Sequence, residues 1–488
     1  MRGQRNMQGM GSHVEGDDRR IIILSRGVLI GVLFVASGLV GSHGETWAAA
    51  PALARSADRS RFDITTFATG LAFPTSMTTL GDGSLLVATS SGGPNSSLWS
   101  SGTGTLVRLA DTDGDGVADG GPQVMASGLP GLVTSVRRVG GLVAALSSRQ
   151  GSETITLWRS GSSAETALTA AGRLQFSFPI GFEHTTYALA TRPASGGGVE
   201  LYFNVGAKLN AASTAPTETV TLSGSGVMFS TASLIPDSIY RVLVSESEGG
   251  LSVAAPTRIA AGLRNAAGMT FDAAGNLWLQ DNGIDDPANR SRSLSADELN
   301  FIAAADVGST VPHFGFAGTY TDYATGAVVG PTEGVTLPLA AFRPISGEKS
   351  EGAVELALAP ASFPADFIGG VFVPFSGVYN AGGAANDENP LIYCNPATGS
   401  YFHFIENQQM GHPNGLLATA DALYLTDLST TGAFYGTVGG VPADAAGAIY
   451  RIAPVPEPSA WVLTVMAVAC GAMFPRWRAV RKAARRSA

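Results

Sequence analysis

Residues Gly262 to Ile302 read GLRNAAGMTFDAAGNLWLQDNG, followed after a polar insert by SADELNFI. The stretch opens with a Gly-Leu turn, runs apolar through Met269, Phe271 and Leu277, turns at Ala274-Gly275-Asn276, and ends in Asp281-Asn282-Gly283. Two short strands around a tight polar turn are how a propeller blade begins. A generic blade does not require Arg264-Asn265 at the mouth of its first strand, nor Asp297-Glu298 just downstream.

The same phrase recurs along the chain. From Phe62 the sequence runs FDITTFATGLAFPTSMTTLGDGSLLVATSSGG, and from Gly128 it runs GLPGLVTSVRRVGGLVAAL. A looser copy begins at Gly181, another is SEGAVELALAP with GGVFVPFSGVYN, and the last is GHPNGLLATADALYLTDLS from Gly411. With the Gly262 stretch that makes about six units at uneven intervals, which predicts an all-β, six-bladed β-propeller over residues 60–453. A β-sandwich of this length would not repeat a Gly-Leu start and a Gly turn. Phe62 to Phe67 and Ala448 to Ile452 are both β-rich, so one blade is expected to take strands from each end and leave no free edge.

The totals agree with many short strands. The 488 residues suffice for a large core, 14% are charged, and 62 are glycine, a balance that favours tight turns over long surface helices. The formal charge of −9 understates the acidity of the folded part, because many arginines sit near the termini. No basic stripe remains to follow a phosphate backbone, which argues against nucleic acid as a partner. Cys394 stands alone in the globular part and Cys470 lies in the hydrophobic tail, so no intradomain disulfide is expected.

The ends speak for export. Arg19-Arg20 precede an apolar run from Ile21 to Val40, interrupted by Arg26 and followed by small residues. This order marks 1–54 as a signal peptide region. Cuts after Ala50 and after Ala54 both satisfy the small-x-small rule, and Pro51 after the first favours the second. An uncleaved anchor is the alternative, and the residues around the Arg pair do not fit twin-arginine export. At the other end (455–488), Val455-Pro456-Glu457-Pro458 leads into the apolar run Ala460 to Phe474 and a tail with Arg476, Arg478, Arg481, Lys482, Arg485 and Arg486. The tripartite order resembles the PEP-CTERM sorting signal of bacteria that build extracellular polysaccharide. That resemblance implies a C-terminal hydrophobic helix held transiently in the inner membrane, then cutting by an exosortase-type enzyme and delivery to the cell surface or extracellular matrix. A plain C-terminal anchor is the alternative.

Leu106 to Gly120, LVRLADTDGDGVADG, sits between blade units. Its Asp111, Asp113, Asp115 and Asp119 alternate with Gly114 and Gly116. Carboxylates then converge while glycines permit a tight wrap around a hard cation, the first half of an EF-hand-type calcium loop. Pro122 stands where the bidentate Glu would be. A solvated acidic hairpin tip is the plainer reading.

Generic catalytic motifs are absent: the chain has no G-x-S-x-G elbow, no H-E-x-x-H helix and no Cys-x-x-Cys. The histidines within the fold are His184, His313, His403 and His412. The G-x-R-N-x-x-G strand at Gly262 and the following D-E-L-N at Asp297 resemble the soluble glucose/sorbosone dehydrogenase family, and the resemblance extends over nearly the whole folded length. It implies pyrroloquinoline quinone and calcium as cofactors and His184 as the base that takes a sugar hydroxyl proton. It also implies Arg264 and Asn265 facing the anionic quinone, Asp281, Asn282 and Gly283 at the strand end beside it, and Asp297 and Glu298 helping to hold calcium. Lys208 would pair with the quinone or lie exposed.

The chain departs from that pattern in two places. Thr185, Thr186, Tyr187 and Ala188 follow the histidine where the enzymes have small and basic residues, so Tyr187 is expected to fill the pocket. Gly206-Ala207-Lys208 stands where they have Gly-Asp. Each residue also has an ordinary role open to it: His184 capping a turn, Arg264 bonding carbonyls at the propeller mouth, Asp297 accepting from a loop amide. Two functions follow: quinone-dependent oxidation of a sugar or other alcohol, or a catalytically silent propeller that binds polysaccharide or protein at the cell surface.

Overall fold

In the Gly262 stretch the turn is built by one side chain. Asp272 accepts from the Asn276 amide at 2.9 Å, from Asn276 Nδ2 at 2.7 Å and from Trp278 Nε1 at 3.0 Å, while Gly275 supplies the left-handed residue at φ +87°. The hairpin Gly268–Phe271 and Leu277–Asp281 closes on it in antiparallel register, Gly268 opposite Gln280 and Phe271 opposite Leu277. Asp297–Ile302 and Ala340–Phe342 add the third and fourth strands. Gly262 itself, at φ +68°, lies against the His313 imidazole so closely that a Cβ would meet Cε1 at 2.4 Å, so no side chain fits there.

A computed structural model of the protein describes residues 50–54, 57–91, 102–149, 151–161, 168–215, 217–289, 292–343, 352–376, 391–405, 410–430 and 447–455. Among them are six sheets of four or more strands, antiparallel except where Val227–Met228 pairs parallel to Gly250–Val253, and each repeated phrase heads one. Blade 1 is Ser76–Thr79, Leu85–Ser91, Thr103–Leu109 and Gln123–Pro130; blade 2 begins Leu132–Val139, Leu142–Ser148, Thr154–Arg159 and Thr169–Ser177. Blade 3 runs Leu189–Pro193, Val199–Val205 and Ser238–Ser247, with Thr257–Ala261 and Gly250–Val253 both pairing with the last of these. Blade 4 is the sheet above. Blade 5 is Ala357–Leu358, Val371–Pro374, Leu391–Asn395 and Ser400–Ile405. Blade 6 takes Pro413–Ala418, Leu423–Asp427 and Gly447–Pro454, and its outer strand is Phe62–Leu71 from the start of the fold, pairing from Phe62 opposite Pro454 to Leu71 opposite Gly447. The predicted closure is therefore in place, and it covers an edge that would otherwise pair with another chain.

Alternation along the strands explains the ring. Each sheet buries both faces, one against the blade before and one against the blade after. The apolar side chains accordingly divide into clusters shared by neighbours: Leu86, Val133 and Val143 between blades 1 and 2; Leu157, Phe176 and Phe203 between 2 and 3; Tyr202, Met269 and Leu279 between 3 and 4. Trp278, Phe342 and Phe375 join 4 to 5, Phe372, Phe404 and Tyr450 join 5 to 6, and Phe67, Val87 and Ile449 join 6 to 1. Leu53 and Ala57 belong to the cluster between blades 5 and 6.

The first strand of each blade lines the central opening. There Glu355, just before the first strand of blade 5, accepts from Ser76 Oγ of blade 1 at 2.8 Å, Arg137 Nη2 of blade 2 at 2.9 Å and the Leu416 amide of blade 6 at 2.9 Å. Four blades thus meet on one buried carboxylate. Tyr187, at the entry to blade 3, reaches across to Asn414 of blade 6, whose Nδ2 lies 3.4 Å from the hydroxyl.

The acidic segment 106–120 was expected between blades and lies instead inside blade 1, joining the third strand to the fourth. The signal region before residue 50 and the sorting segment after Val455 lie outside the described residues. Among the described residues no helix is long and apolar enough to cross a membrane.

Candidate functional site

The candidate residues of blades 3 and 4 gather at the end of the channel where the first strands begin. Gly206 permits this: a Cβ there would meet His184 Cβ at 2.7 Å and its carbonyl oxygen at 2.8 Å. With no side chain in the way, the Glu183 and His184 amides donate to the Lys208 and Ala207 carbonyls at 3.0 and 3.1 Å, and the Ala207 amide donates to the Arg264 carbonyl at 2.8 Å. His184, Ala207 and Arg264 therefore form one row from blade 3 to blade 4, on a common rim.

Blade 4 fixes the far end of the row through its carboxylates. Asp281 accepts from the Arg264 and Asn265 amides at 2.9 and 2.6 Å. Asn265 Nδ2 donates to Asn282 Oδ1 at 2.9 Å, and Asn282 Nδ2 donates to the Ala353 carbonyl at 2.6 Å. Asp297 accepts from the Gly283 and Ala353 amides, both at 2.7 Å, which ties blade 4 to blade 5. Burial pushes the Asp281 carboxyl up to about 7 against the pull of those two amides. It also pushes Glu298 up to about 8, with the Asp281 charge directly opposite in the next strand adding to the effect. Asp297 is raised as well, chiefly by burial.

The Arg264 side chain is 4% exposed. Its Nε donates to the Asn210 carbonyl at 3.1 Å, and its Nη2 donates to Asn210 Oδ1 at 2.7 Å and Asp285 Oδ2 at 2.9 Å. The neighbouring cavity, bounded by Arg264, Asp281, Glu298, Phe316 and Tyr320, measures about 20 Å³, room for about one water.

Several expectations change in consequence. Arg264, expected to face a quinone, ties the loop at Asn210 to Asp285 through Nε and Nη2 and borders the cavity. Asn265 and Asn282 bond each other, and Asp281 caps two amides. Lys208 was expected at the quinone or exposed, and its ammonium pairs with Glu218 and lies over the Phe182 ring, 5.9 Å from the centroid. Asp297 and Glu298 were expected to help hold calcium. Asp297 spends both oxygens on backbone amides, because the junction of blades 4 and 5 leaves those donors without other acceptors. Among the described residues the one group of three whose ligand atoms lie within 4.8 Å of one another is Asp111, Asp113 and Asp115.

In that acidic loop Asp111 accepts from the Gly114 and Gly116 amides at 2.7 and 2.9 Å, and Asp115 accepts from Val117 at 2.8 Å. These bonds curl the chain until the three carboxylates converge. Asp119, expected to join them, turns to the Thr112 amide and hydroxyl instead, both at 2.5 Å.

A pyrroloquinoline quinone does not fit the residues present on the Arg264 rim. The tricarboxylate needs free cationic forks, whereas the Lys208 ammonium pairs with Glu218 and the Nε–Nη2 edge of Arg264 serves Asn210 and Asp285, leaving Nη1 alone uncommitted among the described residues. Ala207, fully buried, stands where the resemblance has a carboxylate. Tyr187 crosses the opening, and burial pushes its hydroxyl up to about 12. Tyr187 was legible in sequence. Asn210 and Asp285 were missed, for they come from segments distant in the chain, and Glu355 was missed although it is the one charge in the apolar phrase AVELALAP.

No family profile and no curated protein matches the chain. Solved structures of similar shape include the PQQ domain of pyranose dehydrogenase from Coprinopsis cinerea, at 13% identity and a TM-score of 0.47 over 82% of this chain and 96% of that one. The PQQ-bound aldose sugar dehydrogenase of Streptomyces coelicolor matches at 18% identity and 0.46, over 82% of this chain and all of its own. The apo form of the soluble aldose sugar dehydrogenase of Escherichia coli matches at 11% and 0.48, over 81% of this chain and all of its own. Likeness this remote carries no argument about activity, so the functional reading stands on the geometry of this chain.

Proposed function

We propose that the chain is an exported, sugar-dehydrogenase-like propeller that acts as a binding module at the cell surface, with polysaccharide or protein as its ligand, and does not carry out quinone-dependent oxidation. The observation that carries this reading is the buried Arg264 guanidinium, whose Nε and Nη2 hydrogens are committed to Asn210 and Asp285. Ala207 in place of an acid beside His184 supports it. Calcium is proposed as a structural ion on Asp111, Asp113 and Asp115, whose donor set suits a hard cation. Export, transient anchoring in the inner membrane and exosortase-type processing are proposed from the two terminal segments.

The alternative, sugar or alcohol oxidation with His184 as base, draws support from the single row that joins His184, Ala207 and Arg264. Calorimetric titration of the purified protein with pyrroloquinoline quinone and calcium, with dye reduction followed on a panel of aldoses, separates the two. The binding module gives neither quinone binding nor dye reduction. Quinone binding together with dye reduction that vanishes in His184→Ala would overturn it.

A further inference from the structure

A second cavity lies at the other end of the channel, where the first strands finish. Its volume is about 360 Å³, within the range of small-molecule sites. The walls are apolar: Met77 of blade 1, Phe271 of blade 4, Leu356 and Leu358 of blade 5, Leu417 and Ala418 of blade 6. No Asp or Glu lines them. Arg137 of blade 2 is the single cationic lining residue, and its side chain is 16% exposed.

A guanidinium has five N–H donors. Arg137 uses Nη1 on Ser76 Oγ at 3.0 Å and on the Val136 carbonyl at 2.8 Å, and Nη2 on Glu355 at 2.9 Å. Among the described residues nothing accepts from Nε or from the second Nη2 hydrogen. Those two N–H groups share one edge of the guanidinium plane, the fork that matches both oxygens of a carboxylate. Glu355 does not forbid a second anion, since its charge is already spread over Ser76, Arg137 and the Leu416 amide. The Glu355 network and the Tyr187 crossing separate this cavity from the Arg264 rim.

We propose that this mouth of the propeller binds a monocarboxylate with an apolar body, its carboxylate on the Nε–Nη2 edge of Arg137 and its body against Phe271, Leu358 and Leu417. The site is independent of any ligand at the Arg264 rim, so either proposal can fail without the other.

Calorimetric titration with octanoate tests it, with octan-1-ol as the probe that keeps the apolar body and lacks the charge. Octanoate is expected to bind, and octanol to bind at least about tenfold more weakly, the factor for losing a charge-assisted hydrogen bond. Arg137→Met should weaken octanoate by a similar factor. Because Arg137 also serves Glu355, a second variant works from the rim: Ala361→Trp, at an exposed lining residue, should abolish binding at an unchanged melting temperature. The proposal is overturned if octanoate gives no binding heat, if octanol binds as tightly, or if Ala361→Trp binds octanoate like the parent.

Discussion

Replacing Arg264 by alanine separates a strut from a cofactor ligand. In the folded protein its side chain makes three hydrogen bonds of 3.1, 2.7 and 2.9 Å to Asn210 and Asp285. Breaking a buried ion pair from one side costs about 3–5 kcal/mol, because the abandoned charge stays in a poor solvent. Here the Asp285 side chain keeps 29% of its exposure and rehydrates in part, which lowers the expectation to about 2–4 kcal/mol. The Asn210 carbonyl loses its Arg264 donor and keeps it from falling further, while Asn210 Oδ1 retains the Asp285 amide at 3.0 Å. Arg264→Lys should recover less than half, since an ammonium cannot reach both Asn210 oxygens and Asp285 from one planar fork. Urea unfolding read by tryptophan fluorescence, which Trp278 of blade 4 reports directly, gives the difference from the midpoint shift at constant slope. An arginine kept for a quinone would behave in the opposite way. If Arg264→Ala left stability within about 0.5 kcal/mol of the parent while abolishing a quinone affinity that the parent possessed, the strut argument would be refuted.

Stability should fall as pH rises through the Asp281 and Glu298 range. Their folded pKa values, about 7 and about 8, lie above the unfolded carboxylate values of about 4, so their contribution is fully present below the unfolded values and is lost as pH climbs through the folded ones. The urea midpoint is expected to drop between pH 5 and pH 8.5 (about the span from the unfolded to the folded values), and Glu298→Gln should flatten the slope; a profile unchanged in that variant removes Glu298 as its cause. Calcium should raise the melting temperature, by the equivalent of about 2.7 kcal/mol at one hundred times its dissociation constant. Asp113→Ala should remove the effect, and a parent protein indifferent to calcium ends the proposal for that loop. At the N-terminus Leu53 bridges Ile405 and the Ala54 amide donates to the Phe404 carbonyl at 2.8 Å, with both residues buried. A cut after Ala50 keeps them in the mature protein, whereas a cut after Ala54 forfeits the Leu53 burial, worth about 1.5–3 kcal/mol. Mass spectrometry of the chain after the proposed signal cleavage should find Pro51 first, and a chain that begins at Arg55 contradicts this.

How far the sequence could be read depended on the distance over which each feature is encoded. The blades were legible because a strand, a Gly turn and a second strand are local: Asp272 to Trp278 carries its whole turn in seven residues. Ring closure was legible for a different reason, since two β-rich ends with no partner of their own imply each other. His184 and Arg264, expected around one cavity, are joined through the Ala207 backbone, and Arg264 borders the small cavity there. What could not be read was the occupancy of Arg264. Its partners Asn210 and Asp285 sit in connections of blades 3 and 4, and no periodicity announces which loop atom will reach a guanidinium. Asp297 shows the same limit, because a carboxylate that holds calcium and one that accepts from two amides look alike in sequence. Glu355 left a signal that went unused: one charge inside an apolar strand phrase must find partners, and here it finds three blades.

The division between core and channel explains why such a fold can keep its shape while its rim changes use. Apolar side chains between adjacent blades hold the ring together, and the channel residues do little of that work. Substitutions at the channel entry therefore alter what can bind there without loosening the blades. Tyr187 and Ala207 are positions of this kind: one side chain crosses the opening and the other is a buried methyl beside His184, and neither asks a strand to move. Glu355 differs, because its partners come from blades 1, 2 and 6, so its removal should register as lost stability even though it lines the channel. The Arg137 side chain stands at the boundary between these two cases, with one edge committed to the ring and the other open to the lower cavity. A residue so placed can bind a ligand while its backbone and its inner edge are held by the fold, which is the rigid support a selective site requires.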